Sequence, residues 1–263
     1  MSEPLLFSVE GAVATLTLNR PEAGNTIDLP LAQALLHAAI RCDQDRAIRC
    51  VVLTGQGKLF CGGGDLSGFA AAGEDISGYL SLLAGTLHMA ITRLMRMPKP
   101  LLVLVNGPAA GAGLSLAIGG DVVICARSAH FSAAYGSVGL TPDGGMSWLL
   151  PRLVGLRKAQ EIILTGRRIA AEEAERIGLV TRAVDVADLA AEGRAQAERL
   201  AAAATGAVGA ARALLADSYG AALEQQLERE ARSIAAAARS PDCREGVAAF
   251  LERRAPQFNA KEI

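Results

Sequence analysis

The feature that most restricts this chain is a strand-length apolar run followed by eight residues without one large side chain. Residues 100–105 read Pro-Leu-Leu-Val-Leu-Val, and residues 106–113 read Asn-Gly-Pro-Ala-Ala-Gly-Ala-Gly. Leu114, Ser115, Leu116, Ala117 and Ile118 then open what reads as a buried helix. A glycine-rich passage from strand into helix lets a ligand approach bare backbone, and the first N–H groups of a helix are unpaired donors. Such a turn suits a phosphate, or an oxyanion that exists only during a reaction. A second turn of the same kind, Cys61-Gly62-Gly63-Gly64-Asp65-Leu66, lies shortly after the run from Cys50 to Thr54. Either cluster alone reads more simply as a tight turn. Two of them, each behind a strand, can supply the two backbone donors of an oxyanion hole.

At 263 residues the chain can bury a full core, as one domain or as a domain with an appendage. A hydrophobic share of 51% with 20% charged residues is a globular composition, not a disordered one. The net charge of -1 gives no electrostatic case for nucleic acid or an anionic membrane, and 4% aromatics gives little for base stacking. Met1-Ser2-Glu3-Pro4 lacks the basic and apolar parts of a signal peptide, and no apolar run reaches transmembrane length. Cys42, Cys50, Cys61, Cys125 and Cys243 are scattered without a CxxC spacing, as expected for reduced thiols in a cytoplasm. His37, His88 and His130 are too dispersed to suggest a metal site. These numbers predict a soluble cytoplasmic α/β protein.

Taken in order, residues 6–9 and 12–18 read as two strands joined at Glu10-Gly11, the second with Ala14, Leu16 and Leu18 on one face. A polar loop at 19–25 leads to a helix over 30–42, and residues 50–54 form the next strand. A long helix over 75–97 carries Tyr79, Leu80, Leu83, Leu87, Ile91 and Leu94, with His88 also on it as either a packing residue or a functional one. Lys99-Pro100 ends that helix and starts the strand at 101–105, and residues 122–125 give another strand. Helical segments begin at Trp148, at Lys158 and at Ala171, the last stopped by Gly178, and residues 179–184 are the final predicted strand. From Asp188 to about Arg254 the chain is alanine-rich and helical, with breaks near 205–206, 218–220 and 240–241. A boundary near residue 200 divides a core (1–200) from a helical region (201–263) whose apolar faces need a neighbouring subunit.

The third glycine-rich turn is Gly139-Leu140-Thr141-Pro142-Asp143-Gly144-Gly145. Its one carboxylate, Asp143, has apolar residues before it (Val138, Leu140) and after it (Met146, Trp148), an environment suited to proton transfer. Asp before Gly-Gly at a helix start is equally a helix N-cap, and the residues alone leave both readings open.

Together these motifs resemble the crotonase (enoyl-CoA hydratase/isomerase) superfamily from about residue 5 to the C-terminus. The resemblance rests on Leu18-Asn19-Arg20-Pro21-Glu22-Ala23-Gly24-Asn25, Phe60-Cys61-Gly62-Gly63-Gly64-Asp65-Leu66, Asn106-Gly107-Pro108-Ala109-Ala110-Gly111-Ala112-Gly113, the Asp143 turn and the segment 249–258. It implies a spiral of ββα units with a C-terminal helical trimerisation region, assembled as a homotrimer or a dimer of trimers. It implies an acyl-CoA substrate whose thioester oxygen accepts the N–H groups of Gly64 and Ala112, coenzyme A entering with the substrate and no separate cofactor. It places Glu22, Ala23, Gly24, Gly62, Gly64, Asp65, Leu66 and Ala112 along the coenzyme A, and brings Phe250 and Arg253 from a neighbouring subunit's final helix.

The departures from the family pattern carry as much information. The two glutamates with which family hydratases position water fall at Ser115 and Tyr135, so ordinary hydration is disfavoured. Asp143 matches the loop of the family's ring-opening, epoxyphenylacetyl-CoA isomerase-like members. The resemblance thus implies an isomerase with Asp143 as the single proton carrier, and Leu140, Met146 and Trp148 are expected to keep water out. Asp143 and His88 also match the nucleophile and the base of the chlorobenzoyl-CoA dehalogenases. A non-catalytic acyl-CoA-binding relative is the third reading.

Overall fold

The computed structural model describes residues 3–258. Strands β1 (Leu5–Glu10) and β2 (Val13–Leu18) form an antiparallel pair that turns at Gly11, with Glu10 opposite Val13. The period-two pattern of β2 is realised: Ala14, Leu16 and Leu18 are fully buried, and Val13, Thr15 and Thr17 are half-buried. Helix α1 (Leu29–Gln44) starts where Asp28 accepts the Leu31 N–H at 2.9 Å and Pro30 fits the first turn, whose N–H groups lack helical partners. Strand β3 (Cys50–Gly55) returns parallel to β2. A short helix, α2 (Leu66–Ala71), precedes the long α3 (Ile76–Arg96), which packs against α1.

The pattern then repeats: β4 (Leu101–Val105), β5 (Ala109–Ala110), α4 (Ala112–Ala117), β6 (Val122–Ala126) and β7 (His130–Ser132) follow in order. After them come α5 (Met146–Val154), α6 (Leu156–Thr165), β8 (Ile169–Ala170), α7 (Ala171–Arg176) and β9 (Arg182–Val184). The long strands form a six-stranded sheet in the order β1-β2-β3-β4-β6-β9, parallel everywhere except at β1/β2. The short strands form a second sheet, β5-β7-β8. Single bridges Cys61↔Ala109 and Ile27↔Gly64 bring the glycine-rich turns alongside that smaller sheet.

The central strands are buried on both faces, which is why they read as unbroken apolar runs. Leu16, Val51, Leu53, Val103 and Val105 face the main core with α1, α3 and α4. Cys50, Val52, Leu102 and Ile124 face the other way, where α8 (Leu189–Ala202) covers them with Leu189, Ala197 and Ala201. Helices α9 (Thr205–Ser218), α10 (Leu223–Ala237) and α11 (Pro241–Glu252) follow. Leu215, Leu223, Leu227, Ile234, Phe250 and Leu251 on them are each more than half exposed. Among the described residues no single helix is long and apolar enough to cross a membrane.

Three expectations are corrected. The final strand covers only Arg182–Val184, because the Leu179 and Val180 N–H groups close the end of α7 on the Ala174 carbonyl. The polar loop at 19–25 contains a 3₁₀ turn, Pro21–Ala23. The break expected near 205–206 falls at 203–204, with Thr205 opening α9.

One buried side chain ties the early loop to the segment that leads into the Cys61 turn. Asn25, fully buried and in the left-handed region at φ 54°, donates to the carbonyls of Gln56 and Leu59 at 2.9 Å and of Phe60 at 3.2 Å. Its Oδ1 accepts the Arg20 N–H at 2.9 Å. Replacing it with alanine strands these groups in the interior. Asn25→Ala is predicted to cost about 2–3 kcal/mol, measured by urea unfolding; a loss below about 0.5 kcal/mol would contradict this role.

Candidate active site

The two glycine-rich turns cross at backbone distance. Ala110 N–H donates to the Cys61 carbonyl at 3.0 Å. A Cβ on Gly113 would stand 2.2 Å from that same carbonyl oxygen. Gly63 has φ +100°, and a Cβ there would meet the Ala110 carbonyl oxygen at 2.9 Å and lie 3.6 Å from the Ala112 nitrogen. Only glycine allows both approaches. Among the described residues, neither Gly64 nor Ala112 gives its N–H to a protein acceptor, and both line the same cavity. Two unpaired donors therefore reach one space from two loops, the arrangement that a developing oxyanion needs. The Cys61 thiol beside them is pushed up to about 12 by burial, so it stays protonated.

The cavity is about 300 Å³. Its wall is largely apolar, with Ile27, Leu66, Phe69, Leu80, Leu83, Leu87, Val138 and Leu140. Asp143 is the one acidic side chain among the described residues lining it. The Tyr135 hydroxyl donates to Asp143 Oδ1 at 2.7 Å, and fully buried Ser115 donates its Oγ–H to the Asp143 backbone carbonyl at 2.9 Å. Ser115 Oγ and Tyr135 Oη lie 3.1 Å apart. Burial first, and then the charge and hydrogen bond of Asp143, push the Tyr135 hydroxyl above its ordinary range, so it remains a donor. Ala134, also on the cavity wall, has φ 50°, and its neighbours close a tight turn through Tyr135 N–H to the Ala133 carbonyl at 2.7 Å. That turn aims Tyr135 at Asp143.

Several sequence expectations resolve here. Asp143 is not a helix cap: the residue before α5 is Gly145, without a side-chain cap. Leu140 lines the cavity, but Met146 is buried in the core, and Trp148 is 39% exposed with the Arg152 guanidinium over its ring at 4.0 Å. Neither Met146 nor Trp148 shields the site, because α5 turns them away from it. Gly24 meets the glycine turn directly, its carbonyl accepting Gly62 N–H at 2.9 Å, while Glu22 and Ala23 lie exposed beside it. The Asp65 carboxylate is engaged by Arg20 at 2.9 Å and caps α2 at Ser67 N–H. Burial raises its pKa, but the Arg20 bond and charge outweigh that and hold it low. Leu66 lies at the cavity wall, 53% exposed. Phe250 is 83% exposed on α11, Arg253 ends that helix, and neither lines this chain's cavity. His88 is outside the wall too; its Nε2 accepts Gly144 N–H at 3.0 Å. The left-handed Ala134 and the Ser115–Tyr135–Asp143 contacts had no sequence signal beyond the departure at 115 and 135.

The Enoyl-CoA hydratase/isomerase family model matches residues 8–261. Over 262 residues the chain is 39% identical to the 1,2-epoxyphenylacetyl-CoA isomerase of Escherichia coli (strain K12), covering 99% of this chain and 100% of that one. It is 34% identical to a 4-chlorobenzoyl coenzyme A dehalogenase of an Arthrobacter species, over 92% of this chain and 88% of that one. A solved enoyl-CoA hydratase from Polaromonas sp. JS666 has the same fold, with a TM-score of 0.93 at 34% identity over 97% of this chain and 99% of that one. Three different activities thus stand among the relatives.

The strain at Ala134 has a measurable consequence. A left-handed alanine costs about 1–2 kcal/mol, and a glycine adds about 0.5–1 kcal/mol of unfolded-chain entropy. Ala134→Gly is therefore predicted to leave stability unchanged or raise it by up to about 1 kcal/mol, read by thermal unfolding. A clear loss of stability would show that residue 134 is not strained.

Proposed function

The chain belongs to the enoyl-CoA hydratase/isomerase family, and on that premise we propose that it is an acyl-CoA isomerase with Asp143 as its single proton carrier. The observation that carries this reading is the cavity's acid content: among the described residues Asp143 is the one acid on its wall, held by Tyr135 at 2.7 Å, and the family resemblance puts Ser115 and Tyr135 where hydratases carry glutamate. Hydration requires a group to deprotonate water and another to protonate carbon; a 1,3-shift requires one base that keeps its proton. In the proposed step Asp143 removes a proton from the carbon beside the thioester of a 3-enoyl-CoA. The electron pair moves through the conjugated system onto the thioester oxygen, which Gly64 and Ala112 N–H groups hold. The same carboxyl then returns the proton at the far end of the system, giving the 2-enoyl thioester. A ring-derived unsaturation isomerises by the same route.

The apolar wall supports this chemistry by excluding water and strengthening the two N–H contacts. Coenzyme A is part of the substrate, and its pantetheine and nucleotide run outward across Gly24 and the backbone of residues 62–66. Since the Asp65 carboxylate is engaged by Arg20, Asp65 contributes backbone there. Residues 1–200 form the catalytic core in this reading, and 201–263 assemble a homotrimer or a dimer of trimers in which Phe250 and Arg253 reach a neighbour's coenzyme A. The nucleophilic route needs a His88 lone pair free to activate water, and that lone pair accepts the Gly144 N–H. This weighs against dehalogenase-type hydrolysis.

Asp143→Asn is predicted to slow double-bond migration of a 3-enoyl-CoA by roughly 10²–10⁴-fold, with negligible hydration of a 2-enoyl-CoA by either form. Hydration that persists in the asparagine variant would sink this reading.

A further inference from the structure

We propose that His88 is a positioning residue for the isomerisation, its neutral Nε2 holding the Asp143 turn by accepting the Gly144 N–H. The inference rests on the reading of Asp143 as the proton carrier. His88 extends from α3 with its side chain 46% exposed. Its Nε2 lies 3.0 Å from the Gly144 nitrogen and 3.4 Å from Asp143 Oδ2. These two neighbours make opposite demands. A nitrogen that accepts an N–H presents a lone pair, so the ring proton is on Nδ1; a nitrogen that pairs with a carboxylate must carry a proton. The backbone N–H is a permanent donor and the nearer partner, so it selects the neutral ring. Asp143 Oδ2 is then close to Nε2 without a hydrogen bond between them.

The turn is held from three sides. Tyr135 occupies Oδ1, Ser115 occupies the Asp143 carbonyl, and His88 occupies the Gly144 N–H of the same peptide. Oδ2 is left as the oxygen that receives the substrate proton. Gly144 is buried, so loss of its acceptor leaves an unpaired interior donor, and the peptide between residues 143 and 144 gains a reason to rotate. Rotation there moves the carboxylate, and a misplacement of about 1 Å is enough to cost 10²-fold in rate.

The same geometry requires the Nε2 lone pair to stay free for the Gly144 N–H. A proton on Nε2 ends the Gly144 bond and converts the 3.4 Å approach into an ion pair with Oδ2, occupying the oxygen that does the chemistry. The ionisable groups around it are few. Asp143 faces it from the loop, with Tyr135 behind Asp143; Arg93, further along α3, is paired with Asp43 of α1 at 2.8 Å. Among the described residues no other carboxylate lies within ion-pair distance of His88.

The experiment compares wild type, His88→Leu, His88→Gln and Asp143→Asn by steady-state isomerisation, together with ¹⁵N NMR of the histidine ring in the wild type. His88→Leu is expected to lower kcat roughly 10–100-fold with KM within about twofold. His88→Gln, whose amide oxygen can accept the same N–H, is expected to restore kcat to within about threefold of wild type. The NMR spectrum is expected to show an unprotonated Nε2 and a proton on Nδ1. A proton on Nε2 at neutral pH overturns the proposal even if the leucine variant fails to fold. So does a wild-type kcat in His88→Leu while Asp143→Asn is inactive. An active Asp143→Asn would instead remove the reading on which the proposal rests.

Discussion

Everything at this site depends on two stretches of backbone crossing closer than any side chain would permit. The Cys61 carbonyl accepts Ala110 N–H, while Gly113 lies so near that oxygen that a single methyl group would collide with it. Gly63, in a conformation natural only to glycine, passes over the Ala110 carbonyl and beside the Ala112 nitrogen. The crossing brings two N–H groups from turns some fifty residues apart to one wall of one cavity. Strands β3 and β4, adjacent and parallel, supply the stiffness. Each turn departs from the same end of a buried strand, so the two cannot drift apart without breaking the sheet. Backbone donors held this way need no reorganisation when charge appears on an oxygen beside them, which is what the proposed oxyanion role requires.

Opposite this fixed pair stands a carboxylate that is also fixed, but by side chains. Tyr135, Ser115 and His88 each bind a different atom of the Asp143–Gly144 unit. The tyrosine is delivered by a strained alanine, whose cost persists because the surrounding structure holds it in place. Ser115 lies on α4, the helix that opens with Ala112, so the Ala112 N–H and the support of the Asp143 turn share one rigid element. The Ala112 donor and the support of the carboxylate are thereby spaced by a helix rather than by a flexible loop. In the proposed reaction one substrate carbon lies between the two groups, and such positioning can be a large part of a rate.

Much of this was legible in the residues alone, for physical reasons that differ from part to part. The parallel strands at 50–55 and 101–105 were readable because burial on both faces leaves a continuous apolar signature. The long helix α3 was readable from the spacing of Leu83, Leu87, Ile91 and Leu94. Asp143 stood out as a lone acid in a glycine-rich turn, but its bond to Tyr135 did not, since a contact across eight residues of irregular backbone leaves no periodic mark. The short strands β5 and β8 escaped notice because two residues carry no period at all. Trp148 was misplaced for a related reason: closeness in sequence suggested a lid, whereas the start of α5 rotates it outward onto Arg152 and Tyr219.

The central claim is that one carboxyl group both removes and returns the proton. The most direct measurement is the fate of deuterium in a 3-enoyl-CoA labelled at the carbon beside the thioester, followed through a single turnover in ordinary water. A single carrier predicts that a substantial part of the label reappears at the far carbon of the product. Complete loss of the label to solvent at the earliest detectable turnover would contradict the account, since it requires a second proton carrier or a site open to water.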